Sequence, residues 1–259
     1  MGKKMNNAPV YFALAQIRFN QLAALDTYIP AVQDSLRKAG FPDFQPIQLT
    51  HFLIGGAMPK PVMTTRYLFM NSHKTSGFVL DQSWLMYQTT NYDTFDPFVV
   101  TLLEGLGVLH GAAKLDYTDR AGIRFLDAVV PRSGESVFDY LQPYVLGLSN
   151  LLPDRALVHS MSETKTTLGK TTLVGRAVIQ NQKGGNAAFP EDLLPVQLGL
   201  ADKFSDIRGL YAILDTDSWT DDRQDFDLND LENTLKSLHT SMRRSFDLMV
   251  TPHALQVWD

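Results

Sequence analysis

Five arginines of this 259-residue chain have types and spacings that point to a binding chemistry. They are Arg18, Arg66, Arg120, Arg124 and Arg176. Alternate residues of a β-strand face opposite sides, so Arg18 in the segment "AQIRF" faces away from Ile17 and Phe19. In "DRAGIRFL" the same alternation turns Arg120 and Arg124 outward, and Arg66 and Arg176 begin two further strands. Because a guanidinium group binds a carboxylate or phosphate through paired N–H groups, these five are the candidate ligand- or partner-binding residues.

Acidic neighbours offer these arginines an alternative role. Asp81, Asp116 and Asp119 lie in or beside the same strands, where each could neutralise an arginine within the sheet. Trp84, Tyr87 and Trp219 would either add aromatic surface to an exposed site or pack in the core. The sequence leaves both interpretations open and favours ion pairing and core packing.

The stretch "TKTTLGKTTLVGRAVIQ" contains Gly169-Lys170-Thr171, which is how a phosphate-binding loop ends. Such a loop starts with a glycine five residues earlier, where this chain has Thr164. The residues that follow are rich in β-branched side chains and predict a strand, whereas nucleotide binding requires a helix N-terminus. The pattern therefore predicts a hairpin turn at 168–170, in which Gly169 adopts a positive φ.

Acidic residues and histidines provide no metal site. Seven aspartates lie in residues 215–230, but no reading frame supplies the glycine and glutamate of a calcium loop. The stretch instead predicts a solvated turn that caps the last helix, with a weak site for a divalent ion or a basic partner as the alternative. The six histidines have no metal-ligand spacing, and His239 is predicted on the exposed side of that helix, four residues before Arg243. The sequence therefore predicts no metal, no cofactor and no catalytic residue.

Composition limits the classes of partner. The net charge is −5, and residues 1–140 hold 12 basic and 12 acidic side chains, so the acidic excess lies in residues 141–259. An acidic half disfavours binding to a nucleic acid backbone. The chain has no cysteine and no apolar segment long enough to span a membrane. These features predict a cytoplasmic protein without a membrane partner.

Hydrophobic periodicity predicts the elements that position these residues. In the first half we predict strands at 10–19, 46–54, 64–71 and 78–90, with helices between Asp26 and Gly40 and at 91–109. In the second half we predict strands at 116–130, 156–166, 171–181 and 209–219, with helices at 133–152 and 227–249. The predicted apolar stripe of the last helix consists of Leu231, Leu235, Leu238, Met242, Phe246 and Met249. Both halves thus have the order βαβββα.

Short residue matches support an internal duplication. "QIRFN" at 16–20 matches "GIRFL" at 122–126, and "TRYLFMN" at 65–71 matches "GRAVIQN" at 175–181. The boundaries are a first repeat at 1–113 and a second at 114–259, with an inserted loop at 182–206. The fold class predicted is α+β: duplicated βαβββα units form a curved antiparallel sheet with helices on one face, a topology like that of the TATA-binding protein. The two repeats would make one compact pseudo-twofold domain with an open sheet face.

Four stretches carry a resemblance to a known family: "PVYFALAQIRFN", "TTNYDTFDPF", "DRAGIRFLDAV" and "LHTSMRRSFDLMVTPHAL". Over nearly its full length the chain resembles a sporadically distributed family of bacterial proteins of about 260 residues whose activity is uncharacterised. The resemblance implies a bacterial origin and a link to mobile or defence-associated genes. It implies no catalytic residue.

Three functional hypotheses follow. The first is a non-catalytic binding or regulatory protein that engages a protein partner through the open sheet face or the 182–206 loop. The second is a sensor of a small anionic ligand held by the repeat-related arginines. The third is an enzyme of unknown reaction type that uses aspartate and arginine on the same face.

Overall fold

The computed structural model describes residues 4–53, 60–152, 157–193 and 197–259. This part of the chain forms an α+β fold built on one open antiparallel sheet of ten strands. The strands are β1 Val10–Phe19, β2 Asp43–Leu53, β3 Lys60–Met70, β4 Ser76–Asp81, β5 Trp84–Thr89, β6 Tyr117–Val129, β7 His159–Leu168, β8 Thr171–Lys183, β9 Arg208–Thr220 and β10 Gln224–Asp225. The helices are α1 Leu25–Lys38, α2 Phe95–Ala113, α3 Val137–Tyr140, α4 Leu228–Met249 and α5 Pro252–Trp258.

The strand order places the two halves of the chain side by side. Along the sheet the strands run β2-β3-β4-β5-β1-β6-β9-β8-β7, and β10 pairs with the start of β6. The central pair, β1 and β6, is antiparallel and sets Arg18 opposite Arg120 and Leu14 opposite Arg124. The predicted boundary at 113/114 lies between α2 and β6.

The helices pack on one face of the sheet, which we call the helix face. Alternate residues of β1, from Ala13 to Phe19, point to this face and are buried beneath α1, α2 and α4. The stripe predicted for the last helix is confirmed, because the buried residues of α4 are Leu231, Leu235, Leu238, Met242, Phe246 and Met249. Asp227 caps α4, since its carboxylate accepts the backbone N–H groups of Asn229 and Asp230, as the acidic stretch predicted.

A second apolar cluster lies on the helix face at the β8–β9 end of the sheet. There α3 and α5 pack beside the end of α4, with Tyr140 and Trp258 almost fully buried. The helix predicted over 133–152 is wrong, because α3 ends at Tyr140 and Leu141 forms a bridge with Val250. Pro143 explains the break, since proline has no N–H and keeps the preceding residue extended.

The opposite face, which we call the second face, is partly covered by the inserted segment. Residues 187–193 and 197–207 pack over β1, β6 and β9, and the buried side chains there include Tyr11, Phe12 and Phe204. The ring of Phe189 contacts those of Tyr11 and Phe12 edge-on, each at 5.3 Å between centroids. The sheet face expected to be open is therefore occupied at its centre by the chain's own insertion.

Two hairpins test the turn predictions. The turn at 168–170 is confirmed, because it joins β7 to β8 and Gly169 has φ of 62°. The single long strand predicted at 78–90 is wrong, because the chain reverses between Asp81 and Trp84. This turn contains no glycine or proline; the carboxylate of Asp81 accepts the N–H of Gln82 and stabilises it locally. In the described ranges, no helix is long and apolar enough to cross a membrane.

Candidate functional site

The five candidate arginines all lie on the second face, and each forms an ion pair. Arg124 is buried, and its guanidinium donates to both carboxylate oxygens of Asp215 at 2.7 Å. Its other side donates to Asp192 of the inserted segment at 2.5 and 3.1 Å. Arg176 donates to the same Asp215 at 3.0 Å and also to Glu163. Arg124 thus ties the inserted segment to the sheet.

The other three arginines alternate with two tryptophans. Arg66 donates to Asp81 at 2.9 Å and lies over the ring of Trp84 at 5.0 Å. Arg120 lies over the ring of Trp219 at 4.8 Å. We call the set Arg66, Trp84, Arg18, Arg120 and Trp219 the arginine–tryptophan strip.

Acids also neutralise the middle of the strip. Arg18 donates to Asp119 at 2.5 Å and lies 3.9 Å from Asp221. Arg120 donates to Asp221 at 2.9 Å, so the two arginines share that carboxylate. The preference for ion pairing among sheet neighbours is confirmed for Asp81 and Asp119. Core packing is confirmed for Tyr87, which lies in the buried core, and is wrong for Trp84 and Trp219, because both are half-buried on the second face.

The lysine of the phosphate-loop pattern has an acidic partner as well. Lys170 donates to Asp222 at 2.7 Å, beside the hairpin turn. Within the described residues, no group of three or more histidine and acidic side chains could hold a metal ion.

A separate site lies on the helix face, between the start of α2, the middle of α4 and the sheet. It is a cavity of about 840 Å³, which we call the helix-side cavity. Its polar lining residues include Tyr92, Asp127, Thr216, His239 and Arg243. This volume is typical of small-molecule pockets.

Asp127 forms the floor of the helix-side cavity. It lies on β6 in the same alternation as Ile123 and Phe125, which turns its side chain toward the helices. The residue is 8% exposed, and its carboxylate accepts no hydrogen bond from any residue the structure describes. Burial raises the pKa of Asp127 to about 7, and the charge of Arg243 opposes that rise.

Thr216 adds a second polar group to the floor. It lies on β9 opposite Phe125 and beside Asp127, and its hydroxyl is buried without a hydrogen-bond partner among the described residues. Buried polar groups are satisfied in most proteins, so unsatisfied groups at a cavity are sites for a ligand or water. Asp127 and Thr216 together leave hydrogen-bonding capacity that the described protein does not use.

Aromatic side chains form the walls. The imidazole of His239 stacks on the ring of Phe95 with 3.8 Å between centroids. Burial, assisted by the charge of Arg243, lowers the pKa of His239 to about 4, so this side chain is neutral at pH 7. Tyr92 packs against Phe125 at 4.9 Å, and burial followed by the charge of Asp127 raises the pKa of its phenol. The prediction that His239 lies on exposed helix surface is therefore wrong.

The cations around the cavity have acidic partners of their own. Lys4 pairs with Asp93 at 2.5 Å, and Lys236 pairs with Glu232 at 2.5 Å. Arg243 donates to Asp247 at 2.9 Å, with its guanidinium over the ring of Phe246. Asp96 and Asp127 have no ion-pair partner in the described ranges. The lining therefore holds three cations and three carboxylates, and Glu232 and Asp247 beside it engage two of the cations.

Sequence reasoning missed this cavity, although one signal for it was present. In "IRFLDAV" strict alternation places Asp127 in register with Ile123, Phe125 and Val129, on the buried face. An ionisable residue in an apolar row is costly unless it has a partner or a role. The walls carried no such signal, since the contact between His239 and Phe95 joins two helices that are far apart in sequence.

Comparison with protein-family models and a search of curated proteins each found no match to this chain. Function is therefore inferred from the geometry of the two faces of the sheet.

Proposed function

We propose that this chain is a regulatory binding protein whose ligand is a small molecule held in the helix-side cavity. The observation that carries the proposal is Asp127, a buried carboxylate without a hydrogen-bond partner in the described structure, at the floor of a cavity of about 840 Å³. A buried charge without a partner costs stability, and such costs persist mainly where function requires them. The stacked pair of Phe95 and His239 provides a flat wall for that ligand.

The site differs from the one that the arginines predicted. A sensor of an anionic ligand would need guanidinium groups free to bind it, whereas all five arginines are engaged by carboxylates. The unused polar groups instead lie on the helix face, at Asp127 and Thr216.

A blocked-cavity variant tests the proposal. Thr240 is an exposed residue of α4 that lines the cavity, so Thr240→Trp would fill it without disturbing the core. Asn233→Trp, on an exposed part of the same helix away from the cavity, is the matched control. Thermal unfolding would be measured with a panel of amines, nitrogen heterocycles, nucleosides and carboxylates.

A ligand at a hundredfold excess over its Kd stabilises by about 2.7 kcal/mol, which raises Tm by about 5–10 °C in a chain of this size. We expect that rise for the wild type and for Asn233→Trp, and its loss in Thr240→Trp. A panel in which no compound stabilises the wild type, or a rise that survives in Thr240→Trp, would refute the proposal.

A second candidate function is binding of a protein partner through the arginine–tryptophan strip. Tryptophan and arginine dominate binding hot spots, and here they form one half-exposed row across the sheet. If this function is correct, a partner recovered with the wild type is lost with Trp84→Ala/Trp219→Ala and kept with Lys38→Ala, an exposed change on α1. Equal recovery with both variants would exclude the strip as the docking surface.

We also propose that the two halves descend from one βαβββα unit with a topology like that of the TATA-binding protein. Three features support this: β1 and β6 are adjacent and antiparallel, hairpins extend the sheet outward from each, and α2 and α4 pack on one face. The matched segments occupy different places, however, since "TRYLFMN" lies in β3 and "GRAVIQN" in β8. The first half would then have gained one hairpin strand, which superposition of the two halves would test.

A bacterial origin and a role beside mobile or defence genes remain proposals that rest on the resemblance of the four motifs, and a cytoplasmic location remains one that rests on the absence of cysteine. Genomic neighbours of closely similar chains would test them, and housekeeping neighbours throughout would count against the defence role.

A further inference from the structure

The floor of the helix-side cavity is built to accept hydrogen bonds. The carboxylate of Asp127 has two oxygens with no donor in the described part of the chain, and a carboxylate in a low-dielectric site is strongly stabilised by a cation that donates to both. The Thr216 hydroxyl beside it provides one more acceptor or donor. A ligand with two or more N–H groups on one edge would satisfy this floor.

The walls favour the same class of ligand. The aromatic rings that line the cavity are those of Tyr92, Phe95, Phe125 and Phe246. A cation over an aromatic face is attracted by the ring quadrupole, and that attraction increases when water is excluded. The rings also suit a flat apolar body, because the pair formed by Phe95 and His239 is nearly coplanar, at 6°.

Charge balance points in the same direction. The three cations that line the cavity, Lys4, Lys236 and Arg243, are each engaged by a carboxylate. An anionic ligand would therefore compete with an existing ion pair and would also face Asp127. A cationic ligand would neutralise Asp127 without breaking a contact.

We propose that the helix-side cavity selects an organic cation, with an amidinium, guanidinium or ammonium group at Asp127 and a flat apolar body between the aromatic walls. This inference rests on the proposed function of the same cavity and adds the charge and shape of its ligand.

The groups that face Asp127 make its binding depend on pH. They come from the N-terminal segment, from the start of α2 and from α4: Lys4, Tyr92, Asp93, Asp96, Lys236, His239 and Arg243. Burial raises the pKa of Asp127 to about 7, whereas His239 stays neutral down to about pH 4. Between pH 8 and pH 5 the titration of Asp127 therefore dominates, and a cation should bind more weakly as the pH falls.

Three probes of nearly equal shape test the charge preference. Benzamidine is a cation, benzamide is neutral and benzoate is an anion, and all three carry the same ring. Isothermal titration at pH 8 should give the tightest binding for benzamidine, at least tenfold tighter than for benzoate. Benzamidine binding should weaken at least tenfold at pH 5. At that pH each binding event should release no more than one proton, from Asp127.

Two variants tie the preference to the floor. Asp127→Asn should weaken benzamidine binding at least tenfold, and Thr216→Val, which keeps the side-chain shape, should weaken it severalfold. Asp225→Asn, at an exposed acid on β10, should leave it unchanged. Circular dichroism of each variant checks the fold, and Thr216→Val keeps the test decisive if Asp127→Asn fails to fold.

Each contrary outcome overturns the inference: no benzamidine binding, binding of benzamide or benzoate that is as tight, or benzamidine binding that survives both floor substitutions. The proposed function is tested separately, because it requires only that some ligand, of any charge, stabilises the wild type and that Thr240→Trp abolishes its binding. A neutral or anionic hit from the panel that Thr240→Trp abolishes would keep the proposed function and reject the cation.

Discussion

At the scale of single residues, the buried charges of this protein differ in whether they have a partner. Arg124 and Asp215 are both buried and satisfy each other through two parallel hydrogen bonds. Asp127 is buried to a similar degree and has no such bond among the described residues. The first arrangement is typical of a structural ion pair, and the second of a site that a ligand completes.

Asp127→Asn is expected to stabilise the protein at pH 8 by about 2–4 kcal/mol, since a pKa shift of about three units is worth about 4 kcal/mol. Burial raises the pKa of Asp127 from 3.8 to about 7, so above pH 7 folding buries a charge that the unfolded chain keeps in water. Between about pH 4 and pH 7 only the folded state binds the proton, so wild-type stability rises as the pH falls through this window.

Urea unfolding at pH 8, 6 and 4 measures this difference. The gain from Asp127→Asn should shrink with each step down in pH and vanish near pH 4, where the wild-type carboxyl is protonated in both states. Asp225→Asn, on exposed β10, is the control and should change little at any pH. A variant that is less stable than the wild type at pH 8 would show that Asp127 is satisfied in solution.

Arg124→Met is expected to destabilise the protein by about 3–5 kcal/mol, because it leaves Asp215 buried with Arg176 as its remaining partner. Arg124→Met/Asp215→Leu should recover part of that loss, since it removes the stranded charge. Arg208→Met, at a residue whose side chain is 70% exposed, should cost less than about 0.5 kcal/mol. Chemical denaturation of the three variants gives the comparison, and a cost for Arg124→Met no larger than for Arg208→Met would contradict it.

At the scale of elements, local periodicity accounts for the strands and long helices, and close contacts between elements account for exceptions. Alternation predicted the facing of Arg18, Arg120 and Arg124, and the stripe of α4 was predicted residue by residue. Gly105 in α2 is explained only by its neighbour across the core, because a Cβ there would lie 2.3 Å from the ring of Phe78.

Two glycines of α2 should therefore respond in opposite directions. Gly105→Ala should destabilise the protein by about 1–3 kcal/mol, because overpacking against Phe78 exceeds the helix propensity that alanine adds. Gly111→Ala has no atom within 4 Å of the new Cβ and should stabilise by about 0.5–1 kcal/mol. Thermal and urea unfolding of the two variants give the change in the free energy of unfolding for each. Changes of the same sign in both variants would refute this explanation.

At the scale of the whole molecule, the sheet has a different cover on each face. Helices cover the helix face and leave the cavity above Asp127, whereas the inserted segment covers the centre of the second face. The apolar residues of that segment pack against Tyr11 and Phe12, and Asp192 reaches Arg124. The arginine–tryptophan strip remains half-exposed at one end of the second face.

Phe204→Ala should detach the inserted segment, with a cost of about 3–4 kcal/mol for the lost burial. The backbone N–H groups of Ala187 and Ile207 bond within the segment, to Phe204 and Gly185, and both should then exchange faster with solvent. Amides in α2 should keep their protection, and Leu148→Ala, at a side chain 69% exposed, is the control. Equal loss of protection in α2 would mean that the segment and the sheet unfold together.

By itself, the sequence determined which residues form strands and helices and which way most of them face. These properties depend on periodicity over a few residues, so they could be inferred for β1, α4 and the hairpin at Gly169. The sequence also placed Asp127 in an apolar row of β6, but it did not show that this row forms the floor of a cavity.

Tertiary structure alone decided what covers each face and where polar groups remain without a partner. The cavity depends on the distance between α2 and α4, and Arg124 is neutralised by Asp192 from a segment 68 residues away in the chain. Long-range packing leaves no periodic trace, because it is set by the sum of many weak contacts over the molecule. For this physical reason the binding site was predicted on the arginines and lies instead above Asp127 in our proposal.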